Sequence, residues 1–182
     1  MSVHKLNIYA DSDSAEILPI VDENDTVVGR GRRDIVHRFG FRHRAIHALV
    51  FNYSGEIFLQ KRGLHKDNDP GLWDSSVAGH VDYGESYDDC CIREMAEEIG
   101  IHITQVPSKL FKLGAGKVTG MEFSWVYRLI TNDLLKPNYL EMERGEWYSV
   151  TMVDYMTQNK HSLVSDTFRE VWKHYRVGGY DK

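Results

Sequence analysis

The chain has only two cysteines in 182 residues, and they are adjacent, Cys90 and Cys91. They lie in a stretch that reads as helix, where neighbouring side chains point about 100° apart and so do not bridge each other. A disulfide framework is therefore excluded, and two free thiols suit a reducing cytoplasm. No apolar run approaches the ~20 residues of a membrane span. The opening MSVHKLNIYADSDSAE also lacks the apolar core of a signal peptide, so the expected location is cytoplasmic, with no membrane partner. A basic excess is missing too: the net charge is −5 and the pI near 6.0, which argues against a general nucleic-acid binder. One local exception is GRGRRDIVHRFGFRHR (29–44), with six arginines and two histidines in sixteen residues. No internal repeat or low-complexity tract is present.

What is there is the composition of a globular protein: 42% hydrophobic, 12% aromatic and 27% charged. The length supports one domain with a substantial core and is short for two. Residues 1–16 are polar and patternless and read as an N-terminal arm or edge segment, leaving 17–182 as the domain. ILPIVD and TVVGRG flank the turn-rich DEND and suggest a hairpin; AIHALVFN and EIFLQKR flank YSG and suggest a second, partly buried on both faces. RRDIVHRF, ending at Gly40, reads as a short helix, and LWDSSVAG as one short strand. ESYDDCCIREMAEEIG reads as helix. SKLFKLG, GMEFSWVYRLI and GEWYSV read as strands. In SDTFREVWKHYRVGG the residues Val164, Phe168, Val171, Trp172 and Tyr175 form one apolar stripe with Gly178 as a stop, leaving core or homodimer packing open for it. Strands interleaved with a few helices imply a mixed sheet packed by helices.

The chemistry concentrates in GHVDYGESYDDCCIREMAEEIGI (79–101). On a helix from about Glu85 to Ile99, Ile92, Met95 and Ile99 share a buried stripe with Cys91 and Ala96 at its margins. Glu94 lies one turn from both Glu97 and Glu98 on another flank. Like charges so spaced are mutually destabilising by roughly 0.2–0.5 kcal/mol per pair on an exposed helix. Arg93 reaches Glu97 and Glu85 but cannot neutralise three carboxylates. A solvated acidic face is the bland explanation; a hard divalent cation such as Mg²⁺, which takes oxygen ligands, is the sharper one.

Spacing favours the cation. The segment fits G-x5-E-x7-R-E-U-x-E-E-x-G-U (U apolar) without a mismatch, through Gly79, Glu85, Arg93, Glu94, Met95, Glu97, Glu98, Gly100 and Ile101. At about 7% usage per residue, seven fixed identities arise by chance less than about once in 10⁸ starting points. The segment resembles the signature of the Nudix (MutT-like) hydrolase superfamily. That resemblance implies an α/β/α sandwich and cleavage of a diphosphate linkage by water, assisted by Mg²⁺ or Mn²⁺. It implies Glu94, Glu97, Glu98 and the backbone carbonyl of Ala78 as metal ligands, with Glu94 also orienting or deprotonating water. Glu85 and Arg93 would pair to fix the loop against the helix.

The resemblance extends further. VDENDTVVG, HRAIHALVFNYSGEIFLQKR, PGLWDSS and VAGHVDYGES look like the isopentenyl-diphosphate isomerase branch of the superfamily, across roughly residues 17–150. Three metal-holding histidines of that branch match His37, His43 and His80. Of its two later metal glutamates, one matches Glu122 and the other is replaced by Gly120. The essential cysteine of those isomerases is replaced by Ala78, whereas every box carboxylate is kept. The resemblance therefore implies a pyrophosphohydrolase of a small-molecule diphosphate, such as a nucleoside diphosphate derivative. An isomerase and a catalytically silent binding module are the alternatives. Arg62 and Lys66 match positions that hold diphosphate in related proteins. Glu122, Glu141 and Glu143 are candidates for an extra ligand or base. Trp73 and Trp147 read as core or as stacking platforms for a nucleobase.

Overall fold

The computed structural model describes residues 6–8 and 16–180. In chain order the elements are β1 (Leu6–Ile8), β2 (Ile17–Val21), β3 (Val27–Arg32), α1 (Arg33–Phe39), β4 (His43–Phe51), β5 (Glu56–Arg62), β6 (Trp73–Asp74) and β7 (Val77–His80). They continue with α2 (Tyr87–Ile99), β8 (Ser108–Leu113), β9 (Glu122–Ile130), β10 (Met142–Ser149), α3 (Val150–Gln158) and α4 (Asp166–Gly178). A three-stranded sheet runs β1-β3-β2, and a larger mixed sheet runs β10-β5-β4-β9-β8, with β6 on β5 and β7 on β4. Of the segment read as an arm, Leu6–Ile8 is an edge strand parallel to β3, and residues 1–5 and 9–15 lie outside the described residues.

Alternation along β4 explains the layers. Ile46, Ala48 and Val50 face a core with Cys91, Met95 and Ile99 of α2. Leu49 and Phe51 face the opposite core, with Val153 of α3 and Phe168, Val171, Trp172 and Tyr175 of α4. The sheet thus lies between α2 on one side and α3 with α4 on the other, an α/β/α sandwich. A strand buried on both faces carries no polar alternation, which is why AIHALVFN is almost continuously apolar. The α4 stripe of Phe168, Val171, Trp172 and Tyr175 is buried in the chain's own core, whereas Val164 precedes the helix and bridges to Trp73, and the cap is Gly179 rather than Gly178.

Three readings change. LWDSSVAG is two strands: β6 pairs with β5 and β7 with β4. At the crossing, Ser76 Oγ accepts from the Val50 amide (2.8 Å) and donates to the Phe58 carbonyl, bridging the gap where β4 and β5 diverge. The stripe of α2 is rotated from the expected one: Cys90, Cys91, Met95 and Ile99 are buried, and Ile92 is only half-buried. The helix starts after Ser86, whose hydroxyl accepts from the Asp89 amide, so Glu85 stands in the preceding loop. Finally, α3 has no counterpart in the sequence reading. Its N-cap is Ser149, accepting from the Met152 amide (3.2 Å).

Candidate functional site

One cavity of about 1030 Å³ opens between the end of β7, the exposed flank of α2, the start of β9 and the loop after β5. The strand β7 and helix α2 build its carboxylate wall. Gly79 lets Glu94 approach the strand: a Cβ on it would sit 2.1 Å from the Glu94 carboxyl, which would have to move. Glu98 is 7% exposed and accepts from Gln60 Nε2 (2.9 Å) and from the Ala78 amide (3.1 Å). Arg93 donates to both oxygens of Glu85 (2.9 Å each), to Glu94 (2.7 Å), to Glu97 (3.1 Å) and to the His80 carbonyl (3.0 Å). It straps the loop to the helix, as the motif implies. Burial raises the proton affinity of the inner carboxyls, with Glu97 adding to the effect on Glu94 and Glu94 to that on Glu98. Glu94 is pushed up to about 7, against the pull of Arg93, and Glu98 up to about 8. Carboxylates held so dry invite a cation.

The adjoining wall is rich in imidazole. His37 on α1, His43 at the start of β4, His80 at the end of β7 and Glu122 at the start of β9 bring one ligand atom each within 4.8 Å of one another. Register does this: His43 pairs with Glu122 across the parallel strands, and His80 pairs with Ala45. His43 donates from Nδ1 to the Phe41 carbonyl (2.9 Å), which leaves its buried Nε2 without a hydrogen-bond partner. His80 Nδ1 meets Glu16 (2.9 Å), and its Nε2 meets Glu122 (3.3 Å) and His37 Nε2 (3.1 Å). Burial lowers the proton affinity of His80, but Glu122 and Glu16 outweigh it and hold its pKa at about 9. Burial pushes His37 down to about 4, helped by the neighbouring His80 and His43. Glu122 is held well below the usual carboxylate range by His43 and His80 in spite of its burial. The buried His43 Nε2 makes no hydrogen bond and lies 3.5 Å from Glu122 Oε1, and with its other nitrogen fixed by a carbonyl it is arranged as a metal ligand is.

A family model described as NUDIX domain matches residues 41–170. An uncharacterized Nudix hydrolase of Streptomyces coelicolor is 37% identical over 150 residues, 75% of this chain and 83% of that protein. This chain belongs to the Nudix hydrolase family. An isopentenyl-diphosphate Delta-isomerase of Photorhabdus laumondii is 38% identical over 85 residues, 47% of this chain and 48% of that protein, so the match spans about half the length of each. A crystal structure from Deinococcus radiodurans has a TM-score of 0.76 at 26% identity, covering 87% of this chain and 98% of that one. Among the described residues no helix is long and apolar enough to cross a membrane.

In this Nudix chain the remaining candidates separate by place. Arg62 and Lys66 line the cavity; Arg62 donates to the Asn68 carbonyl (3.0 Å), and Lys66 contacts Glu141. Glu141 also lines the cavity, whereas Glu143 lies on β10, paired with Lys61 (3.0 Å), and does not. Trp73 and Trp147 pack edge-on against Tyr148 and Phe58 at the two cores, and neither lines the cavity. Sequence reasoning missed Glu16, His47, Gln60 and Asp74, all of which line it. Glu16 was hidden in a patternless segment. His47, a polar residue inside the apolar run AIHALVFN, was a usable signal.

Proposed function

We propose that this Nudix hydrolase is a divalent-metal-dependent pyrophosphohydrolase. It would cleave the diphosphate linkage of a small nucleoside diphosphate derivative by attack of water. The observation that carries this reading is the convergence of Glu94, Glu97 and Glu98 on one cavity wall, with Glu94 and Glu98 dry enough to favour their neutral forms. Those three carboxylates and the Ala78 carbonyl would hold Mg²⁺ or Mn²⁺, oxygen donors suiting a hard cation. When bound, the cation would neutralise phosphate oxygens and make water more acidic. Arg93 fixes Glu94, whose raised proton affinity suits it to accept a proton from the attacking water. Arg62 and Lys66, on the facing loop, would hold the diphosphate, Lys66 exchanging its contact with Glu141 for phosphate. His37, His43, His80 and Glu122 fit a second ion of transition-metal type, because imidazole with carboxylate suits such metals and the buried His43 Nε2 makes no hydrogen bond, facing Glu122 at 3.5 Å.

The imidazole cluster makes an isomerase of isopentenyl diphosphate the second reading. Ala78 weighs against it. Neither cysteine can supply the missing thiol: both are buried in the α2 core, and Cys90 Sγ donates to the His80 carbonyl (3.2 Å). Burial pushes the Cys91 thiol up to about 12 and Cys90 higher still. A panel of nucleotide sugars, dinucleotides and isopentenyl diphosphate separates the readings. Phosphate-ester products support the hydrolase, and proton exchange on isopentenyl diphosphate without cleavage supports the isomerase. Ligand-induced stabilisation without turnover points to a silent binding module.

A further inference from the structure

Beneath the two walls the cavity has a polar floor built from side chains that neither wall uses. His47, at the middle of β4, is 3% exposed, and Asp74 and Ser75 beside it are equally buried. His47 Nδ1 meets Ser75 Oγ at 2.9 Å, and the Ser75 amide donates to Asp74 Oδ1 at 2.8 Å. Arg62 Nη1 lies 3.6 Å from Asp74 Oδ2. His47 is not among the residues whose ligand atoms converge on the metal-type cluster. With Nδ1 taken by Ser75, Nε2 is the ring atom left to the cavity that His47 lines.

Register opens the way to it. His47 pairs directly with Ala78, and Ala45 with His80, so His43, Ala45, His47, Ala78 and His80 share one face of the sheet. Directly paired side chains have Cβ atoms about 5 Å apart. The two alanines therefore leave the imidazole reachable from the diphosphate end of the cavity. Ser124, level with Ala45 on the same face of β9, is fully buried, and its hydroxyl has no partner. Burying polar groups on a sheet face whose next residue along β4 is the fully buried Leu49 is costly unless they are hydrogen-bonded, and an aliphatic residue would fill the same strand position at no such cost.

We propose that His47, held by Ser75, hydrogen-bonds the part of the substrate beyond the scissile diphosphate. The site would thereby select a diphosphate whose other moiety carries hydrogen-bonding groups, as a sugar or nucleobase does, over one whose other moiety is hydrocarbon. The inference rests on the pyrophosphohydrolase reading and names the selecting residue within it. A floor built to bond a polar group rejects a ligand lacking one, because its own buried groups are then left unpaired.

The test uses the full chain with Mg²⁺, ADP-ribose as the polar probe and geranyl diphosphate as the hydrocarbon probe. Wild type favours ADP-ribose. His47→Leu lowers the ratio of kcat/KM for ADP-ribose to that for geranyl diphosphate by about tenfold, mainly through KM, as loss of one hydrogen bond implies. His47→Gln, which keeps a polar end, restores most of the ratio. Ala78→Leu, which covers the ring, shifts the ratio the same way as His47→Leu. Melting curves establish that each variant is folded. An unchanged ratio in folded His47→Leu overturns the proposal. If wild type cleaves neither probe, the wider substrate panel decides the hydrolase reading, and calorimetric binding decides the role of His47. Weaker binding of ADP-ribose to His47→Leu then supports it, and equal binding overturns it.

Discussion

Replacing Glu98 by glutamine separates the electrostatic account of the carboxylate wall from a merely structural one. Burial pushes Glu98 up to about 8, so at pH 7 without a cation it is mostly the neutral acid. Glutamine has nearly the same shape, and its carbonyl oxygen can accept from Gln60 Nε2 and the Ala78 amide as Glu98 Oε2 does. The metal-free variant should therefore match wild type within about 1 kcal/mol at pH 7, since no buried group is orphaned. Mg²⁺ then divides them. At a hundred times its dissociation constant the ion stabilises wild type by about 2.7 kcal/mol, which for a chain of this size raises the melting temperature by roughly 5–11 °C. Glu98→Gln should lose most of that rise. Its turnover should fall more than about 100-fold, the upper end of what removing even an outer partner of a metal costs. Scanning fluorimetry with and without Mg²⁺, paired with product release, measures both. A full Mg²⁺-induced rise with wild-type turnover would refute the reasoning. So would a variant that melts many degrees lower without metal at pH 7.

The pH dependence of the metal-free protein follows from the same groups. Glu94 and Glu98 bind protons more tightly folded than unfolded, so their contribution to stability is complete below about pH 4.5 and is lost as pH rises through about 7 and 8. His80 acts in the same direction, its contribution being lost as pH rises through about 9. The melting temperature should fall from pH 6 to pH 9.5 and fall less with Mg²⁺; a flat metal-free profile would contradict this. Converting His37, His43 and His80 together to alanine should remove transition metal that copurifies with wild type, by elemental analysis; retention of the ion would exclude the imidazole site. Arg93→Lys keeps the charge but not the fork to Glu85, Glu94 and Glu97. It should cost roughly 10–100-fold in kcat at unchanged Mg²⁺ stoichiometry, and an unaffected rate would remove Arg93 from a positioning role.

How much of this was legible depends on what each residue answers to. The box could be read from spacing because Gly79, Glu85, Arg93, Glu94, Glu97 and Glu98 meet through one strand end and the loop and helix that follow it, where sequence distance maps onto space. The imidazole cluster could be approached only through resemblance. His37, His43, His80 and Glu122 come from four elements, and the parallel pairing of β4 with β9 that unites two of them has no local signature. Periodicity recovered α4 with Phe168, Val171, Trp172 and Tyr175 of its stripe, and missed α3, which buries only Val153 and carries β-branched Val150 and Thr151 in its first turn. The Cys90 and Ile92 exchange on α2 reflects what lies opposite, since the approach of β7 sets which flank is covered. Asp74 and Ser75 sat unremarked in a two-strand crossing that reads as one strand until its two partners are known.

The central claim is that this chain cuts a diphosphate bond with its carboxylate wall. Phosphorus NMR of wild type with Mg²⁺ and a nucleoside diphosphate sugar tests it most directly. The account predicts that the diphosphate resonances give way to two phosphomonoesters, that the change needs the divalent cation, and that it stops in Glu98→Gln. Intact diphosphate resonances across a panel of such compounds, with deuterium entering isopentenyl diphosphate from heavy water, would contradict it.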